Sequence, residues 1–319
     1  MAEWSCSGLQ IRPRRFDSDL SLQRKEMKNI TKAIIPVAGL GTRMLPATKA
    51  IPKELLPIID KPLIQYVVEE AVEAGIKEII FITRSGKEAI ENHFDINFEL
   101  EHHLETSGKK RILKSVRNLI PKGVTFSSVR QEKALGLGHA ILCAKHLIGD
   151  EDFAVLLPDE ILLPKKRIHI DFKRMMEFYA KTGIGNILVE KVKGNVLHRY
   201  GIIDINKKNL DIKKTSLLIG LIEKPVSKKA PSNYRVVGRY LLPNEILFQI
   251  SKESIDKFGE IQLTNSIDKL IKSNLKQINA VLSNSNIFDC GSKEGFLGAN
   301  IAFALRNEEL KKYIKKTMF

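Results

Sequence analysis

Three cysteines in 319 residues, Cys6, Cys143 and Cys290, are too few and too widely spaced to staple a fold or hold zinc. That scarcity excludes a disulfide framework and fits a reducing compartment, so the cytoplasm is the expected location. No apolar run approaches the length that spans a bilayer, and the leading segment lacks the hydrophobic stretch of a secretory signal. Aromatic residues make up only 7%, with no arginine- and aromatic-rich stripe and no zinc-finger spacing. The chain is nevertheless basic, with 52 Lys and Arg against 37 Asp and Glu and a net charge of +15. Its lysines are spread along the whole sequence among acids, which is the pattern of a solvated surface. Nucleic-acid binding is left resting on charge alone.

What is present suffices for a core: 43% of residues are apolar, and the length suits one large α/β domain or two small ones. There is no internal repeat and no Pro/Ser-rich linker, so one continuous domain is favoured. Apolar runs at Lys32 to Val37, Ile79 to Thr83, Thr125 to Arg130 and Phe153 to Leu157 read as strands. Helical spacing appears at Leu63 to Val72, ending at Gly75, and again over 86–94, Glu99 to Arg117 and Gly138 to Ile148. The second half adds strand candidates at Asn186 to Val192, Gly201 to Ile205, Leu217 to Ile222 and Val236 to Leu242. Its helix candidates are Phe172 to Ala180, Asn244 to Ser251, Leu263 to Ile271 and Lys293 to Arg306. This alternation predicts an α/β fold, a Rossmann-like doubly wound mixed sheet, mostly parallel, in a single large domain. Residues 1–29 are polar and read as a flexible N-terminal extension. Met27 stands just before the first strand, so the segment is expected to reflect an upstream start; a functional arm is the alternative.

The most informative stretch follows the first strand. Gly39 and Gly41 give a loop without Cβ atoms, where backbone N–H groups can approach a ligand closely. Thr42, Arg43, Lys49 and Lys53 crowd donors and positive charge around it. Such a loop suits a polyphosphate, although a glycine-rich turn is also often only a turn. The ordinary P-loop motif is absent, and Gly39-Leu40-Gly41 is followed by Thr42-Arg43-Met44 rather than a dinucleotide fingerprint.

The longer series of motifs resembles the nucleotidyltransferases that make nucleotide sugars, in their bacterial uridylyltransferase branch. It comprises Gly39 to Arg43, Pro46 to Glu54, Lys61 to Glu70, Arg130-Gln131 with Gly136 to Ala140, and Leu157-Pro158-Asp159. It continues through Tyr200-Gly201, Glu223-Lys224-Pro225, Val237 to Tyr240, Gly259 to Thr264 and Phe288 to Gly291. The resemblance runs from about Lys32 to the last helix and implies a fold of the nucleotide-diphospho-sugar transferase type over residues 30–319. It implies transfer of the uridylyl group of UTP to glucose 1-phosphate, with Mg²⁺, by a homodimer or homotetramer that binds neither nucleic acid nor membrane.

A sugar phosphate is already anionic near neutral pH, so the reaction requires no dedicated base. Its difficulty is to bring two anions together and stabilise the phosphorus as pyrophosphate leaves. By resemblance, Arg43 and Lys53 would hold the triphosphate, and Asp159 would bind Mg²⁺ with Asp289 as second carboxylate. The uracil nucleotide would meet Gln131, whose amide can donate and accept, with Ala38, Gly39, Gly41, Thr42 and Gly136 around it. Gly201, Glu190, Glu223 and Lys224 would bind the sugar phosphate. His139 is not required by the chemistry and reads as structural.

Three positions depart from the family pattern: Met44 for Phe, Asn265 for Asp, and Glu160 for an apolar residue. Glu160 beside Asp159 is expected to form a carboxylate pair that alters metal binding. Other readings are the same chemistry with dTTP or another sugar phosphate, and a non-catalytic nucleotide-sugar-binding regulator. Loss of Arg43, Lys53 or Asp159 would favour the regulator, and all three are present.

Overall fold

A computed structural model describes residues 29–119, 122–165, 171–206, 209–257 and 259–318. Cys6, Met27 and nearly all of the expected extension lie outside the described residues.

The first strand, β1 (Lys32–Pro36), turns Ala33 and Ile35 to one face and Ile34 to the other, all fully buried. A strand covered on both faces reads as a continuous apolar run, which is why its sequence was recognisable. The chain then passes through three short 3-10 turns and a small hairpin, β2 (Pro57–Ile58) and β3 (Lys61–Pro62), into α1 (Leu63–Glu73). This helix buries Leu63, Ile64, Val67, Val68 and Ala71 along one stripe. It ends at Gly75, whose φ is 104°. There Gly75 N–H donates to Val72 O and Ile76 N–H to Ala71 O, the paired bonds of a Schellman end.

Next come β4 (Glu78–Thr83) and α2 (Glu88–His93). The stretch expected as a solvated helical insert from Glu99 to Arg117 holds two helices, α3 (Phe98–Thr106) and α4 (Lys110–Arg117). Gly108, at φ 68°, turns the chain between them, and Arg117 reaches back to Glu101 at 2.7 Å. Beyond β5 (Thr125–Arg130), the helix expected from Gly138 to Ile148 divides at Ala144 into α5 (Gly136–Cys143) and α6 (Lys145–Ile148). Then follow β6 (Phe153–Leu156), β7 (Glu160–Pro164), α7 (Asp171–Thr182) and β8 (Gly185–Lys191). The second half adds β9 (Gly201–Ile205), β10 (Thr215–Glu223), β11 (Tyr234–Leu242), α8 (Ile246–Ser251) and α9 (Leu263–Lys272). The chain closes with β12 (Ile278–Leu282), β13 (Ser285–Asp289), α10 (Lys293–Ala304) and α11 (Glu308–Met318).

Nine strands form one sheet in the order β5-β4-β1-β6-β11-β8-β12-β10-β9. The first four are parallel, as is β8 with β12, whereas β10 and β11 are reversed. Because both reversed strands sit inside the sheet, four of its eight junctions are antiparallel. The sheet is thus mixed, and less parallel at its junctions than the βα alternation suggested. Its second half also curls, so that Arg235 of β11 pairs with Ile202 of β9. One apolar layer packs α1, α7 and α10 on a face, and the other packs α5, α8 and α9 on the opposite face. Among the described residues no helix is long and apolar enough to cross a membrane.

A separate two-stranded ladder, β7 with β13, sets Glu160 opposite Asp289. It brings the chain after β6 beside the chain after β13, at the carboxyl ends of the parallel strands where such sheets leave a crevice.

Candidate active site

Two open lobes of about 450 Å³ and 470 Å³ meet at a waist that both share, lined by Arg43, Leu137, Leu157 and Asp159. The larger lobe lies against the glycine loop and the start of α5. The other lies against β9, β10 and the start of α9.

The glycine loop is folded back on its own lysine. Gly41 takes a left-handed conformation, φ 67°, and a Cβ there would stand 3.3 Å from both Lys53 Cβ and Thr48 Cβ. Thr48 Oγ1 donates to the Gly41 carbonyl at 2.8 Å, which pins this bend. Lys53 is thereby presented at the waist, its Nζ 2.6 Å from Asp159 Oδ2. Behind it, Glu54 is buried and paired with Lys87 at 2.6 Å. Burial pushes the Glu54 carboxyl up from its ordinary value.

Asp159 follows β6, and its carbonyl accepts from Cys290 N–H at 2.7 Å, which locks it to the end of β13. Arg43 spans the two carboxylates, with Nη2 4.0 Å from Asp159 Oδ2 and Nη1 3.7 Å from Asp289 Oδ2. Gly291 leaves the space between these groups open. A Cβ on it would fall 2.7 Å from Arg43 Nη2, 2.9 Å from Asp159 Oδ2 and 3.0 Å from Asp289 Oδ1. Burial opposes the charge on Lys53, yet Asp159 and Glu54 outweigh it and raise the ammonium above its ordinary value. Burial likewise opposes the charge on Asp159, and Lys53 and Arg43 outweigh it in the other direction. Both groups are therefore charged at neutral pH. Burial, with Asp159, Asp289 and Glu160 nearby, pushes the Cys290 thiol up to about 12, so it is no nucleophile. Among the described residues no cluster of three His, Cys, Asp or Glu side chains is assembled for a metal. Asp159 and Asp289 are the two carboxylates that Arg43 spans.

In the larger lobe, Ala38, Gly39, Gln131 and Gly136 all line the wall. Gly41 and Thr42 do not; they shape the loop from outside. Lys49 is exposed and away from either wall. Gln131 is 8% exposed, and its Nε2 contacts the Gly136 carbonyl and His139 Nδ1, each at 3.1 Å. Gly136, at φ 86°, has no room for a side chain, since a Cβ would be 2.8 Å from Glu260 Cβ. The segment that crowds it is strapped across the mouth by Ile261 N–H to Leu135 O and Gly138 N–H to Ile261 O.

In the other lobe, Gly201, Glu223 and Lys224 lie together as the sequence led us to expect. Thr264 Oγ1 donates to Glu223 Oε2 at 2.8 Å, and a Cβ on Gly201 would lie 3.2 Å from that same oxygen. Glu190 is not on the wall; it is taken by Arg235 Nε at 2.8 Å. The expected Asp159–Glu160 carboxylate pair is not formed either. Glu160 lines this lobe, but Arg235 and the Gly238 N–H engage its two oxygens. Arg235 in turn lies 4.5 Å over the Tyr200 ring. Tyr200, Gln262 and Thr264 also line this lobe and were not singled out from sequence, although each lies within a stretch that carried the resemblance.

The nucleotidyl transferase family model matches residues 32–304. The UTP–glucose-1-phosphate uridylyltransferase of Haemophilus influenzae is 46% identical over 289 residues, spanning 89% of this chain and 96% of that protein. A UTP-bound UGPase from Acinetobacter baumannii is similar in structure, with a TM-score of 0.84 at 42% identity over 91% of this chain and 98% of that one. A UDP-glucose pyrophosphorylase complexed with UDP-glucose gives a TM-score of 0.77 at 38% identity, over 87% and 100% respectively.

Proposed function

The chain belongs to the nucleotidyl transferase family, among its UTP–glucose-1-phosphate uridylyltransferases, and we propose that it joins UTP and glucose 1-phosphate into UDP-glucose and pyrophosphate. The observation that carries this reading is the waist. Arg43, Lys53, Asp159 and Asp289 stand together where two lobes meet, so two anionic substrates entering from opposite sides would meet there.

In this reading, an oxygen of the sugar phosphate attacks the α-phosphorus of UTP, and the bond to the bridging oxygen breaks as pyrophosphate departs. Arg43 and Lys53 hold the triphosphate and offset the charge that builds up during transfer. Lys53, already charged and fixed at the waist, has only to turn from Asp159 to a phosphate oxygen. Ala38, Gly39 and Gly136 offer backbone to the nucleotide, with Gln131 on the base. Gly201, Glu223 and Lys224 receive the sugar phosphate, and Glu190 acts through Arg235. Asp159 and Asp289 suit Mg²⁺, which takes one or two carboxylates and completes its shell with phosphate oxygens and water. When bound, the ion would neutralise phosphate charge and orient the reacting groups.

Residues 30–319 would work as one nucleotidyltransferase domain, in the cytoplasm, as a homodimer or homotetramer. The free Cys143 and Cys290 accord with that compartment. The test is pyrophosphate release across the four common nucleoside triphosphates with glucose, galactose and mannose 1-phosphates. Dominant activity with UTP and glucose 1-phosphate supports the proposal. Dominance of dTTP or of another sugar would move the chain to a different specificity, and binding without turnover would make it a regulator.

A further inference from the structure

Gln131 stands at the end of β5, and both hydrogens of its carboxamide are already committed within the protein. Nε2 donates to the Gly136 carbonyl at 3.1 Å and lies 3.1 Å from Nδ1 of His139, one turn into α5. The first contact fixes which end of the amide is which. Turning it over would press Oε1 against the Gly136 oxygen, two acceptors with no proton between them. The second contact then fixes the histidine. An amide nitrogen donates only, so Nδ1 must accept and the ring proton must reside on Nε2. Cys143 Sγ, 3.9 Å from the same Nδ1, is a weak group that does not compete. Among the described residues no protein donor is directed at Gln131 Oε1, which leaves that oxygen for a ligand in the larger lobe.

We infer that His139 is a positioning residue for base selection: it holds the Nε2 end of Gln131 inward and leaves an acceptor-only edge facing the nucleotide. Such an edge takes a base whose ring nitrogen carries a proton, as uracil N3 does. It turns away cytosine, whose N3 is itself an acceptor. This narrows the expectation that the Gln131 amide both donates to and accepts from the base. The inference rests on the reading of Gln131 as the base-facing residue. It assigns His139 no contact with the reacting atoms, and His139 does not line the lobe.

Three variants separate the inference from the reading beneath it. The measured quantity is kcat/KM with UTP divided by kcat/KM with CTP, at fixed glucose 1-phosphate. His139→Leu removes one of the two acceptors on Nε2, leaves the amide held by the Gly136 carbonyl alone, and is expected to lower the ratio about tenfold, on KM for the nucleotide more than on kcat. His139→Asn can place an oxygen where Nδ1 was and is expected to restore most of the ratio. Gln131→Ala is expected to abolish the preference. If Gln131→Ala collapses the ratio and His139→Leu leaves it intact, the role of His139 is overturned while Gln131 keeps its place. If Gln131→Ala leaves the ratio intact, the reading of Gln131 falls and the inference falls with it. Nitrogen-15 NMR supplies a readout that packing alone would not set: the Nε2–H tautomer is expected, and a proton on Nδ1 overturns the inference.

Discussion

Arg239 meets Glu70 in a two-pronged ion pair, Nε to Oε1 at 3.1 Å and Nη2 to Oε2 at 2.8 Å, although 169 positions separate them. The guanidinium is fully buried, and its remaining hydrogens go to the carbonyl oxygens of Leu157, Gly238 and Glu160. It therefore grips the chain on both sides of Asp159. Removing one member of a buried pair costs about 3–5 kcal/mol, so Glu70→Gln should lower the urea midpoint sharply. The double variant Glu70→Leu/Arg239→Met should recover much of that stability, because no buried charge is stranded. Turnover should not recover, since the two carbonyls flanking Asp159 lose their donor. Recovery of both together would show that the brace does not position Asp159.

Lys53→Ala and Asp159→Ala should each fold and each lose most turnover. Loss of one group that stabilises developing charge typically costs about 10²–10³ in kcat. Circular dichroism establishes the fold and pyrophosphate release the rate. Near-normal release by either variant would remove that residue from the chemistry.

The same ion pair sets a pH window for stability in metal-free protein. Asp159 is held below its ordinary 3.8, so its contribution is present above that pH and is lost as pH falls through the lower folded value. Lys53 is held above its ordinary 10.5, so its contribution is present below that pH and is lost as pH rises through the higher folded value. With chelator present, the difference in Tm between the protein and its Lys53→Met/Asp159→Asn variant should be flat across neutral pH. It should shrink only below the first value and above the second. A slope centred near neutrality would contradict the pairing.

Gly291→Ala would put a methyl where Arg43, Asp159 and Asp289 converge, closer than 3.1 Å to all three. Arg43 is exposed and can swing away, whereas Asp159 is tied down by Cys290 N–H and Lys53. The variant should stay within about 1–3 kcal/mol of the parent in stability and need several-fold more Mg²⁺ for half-maximal turnover. An unchanged metal requirement would mean that the two carboxylates do not share an ion.

Much of the sheet was legible because its central strands are buried on both faces. Ile34, Ile80 and Val155 sit within short apolar runs that no other element type explains as well. The glycine loop was legible for a local reason, since Gly39, Gly41 and Lys53 act on one another within a single short stretch, residues 39–53. The ladder of β7 with β13 was not, because each strand shows only a short apolar run, Ile161 to Leu163 in one and Ile287-Phe288 in the other, and the two pair from far apart in the chain. Strand β12 was hidden in the same way, with Asn279 interrupting its five residues. Arg239 stood in a recognised stretch, but its work depends on Glu70, and no spacing rule connects positions so far apart. Glu160 was read as a neighbour of Asp159, where its effective neighbour is Arg235, 75 positions later.

That last contact constrains how the protein can change over generations. Glu160, Arg235 and Glu190 form one charged chain in which Arg235 is 4% exposed. A glutamate at position 160 without Arg235, or loss of Arg235 alone, leaves a buried acid without its partner. Either step strands a buried charge at about 3–5 kcal/mol, against a total stability of about 5–15 kcal/mol. Among related chains, an acid at position 160 is therefore expected to accompany a base at position 235.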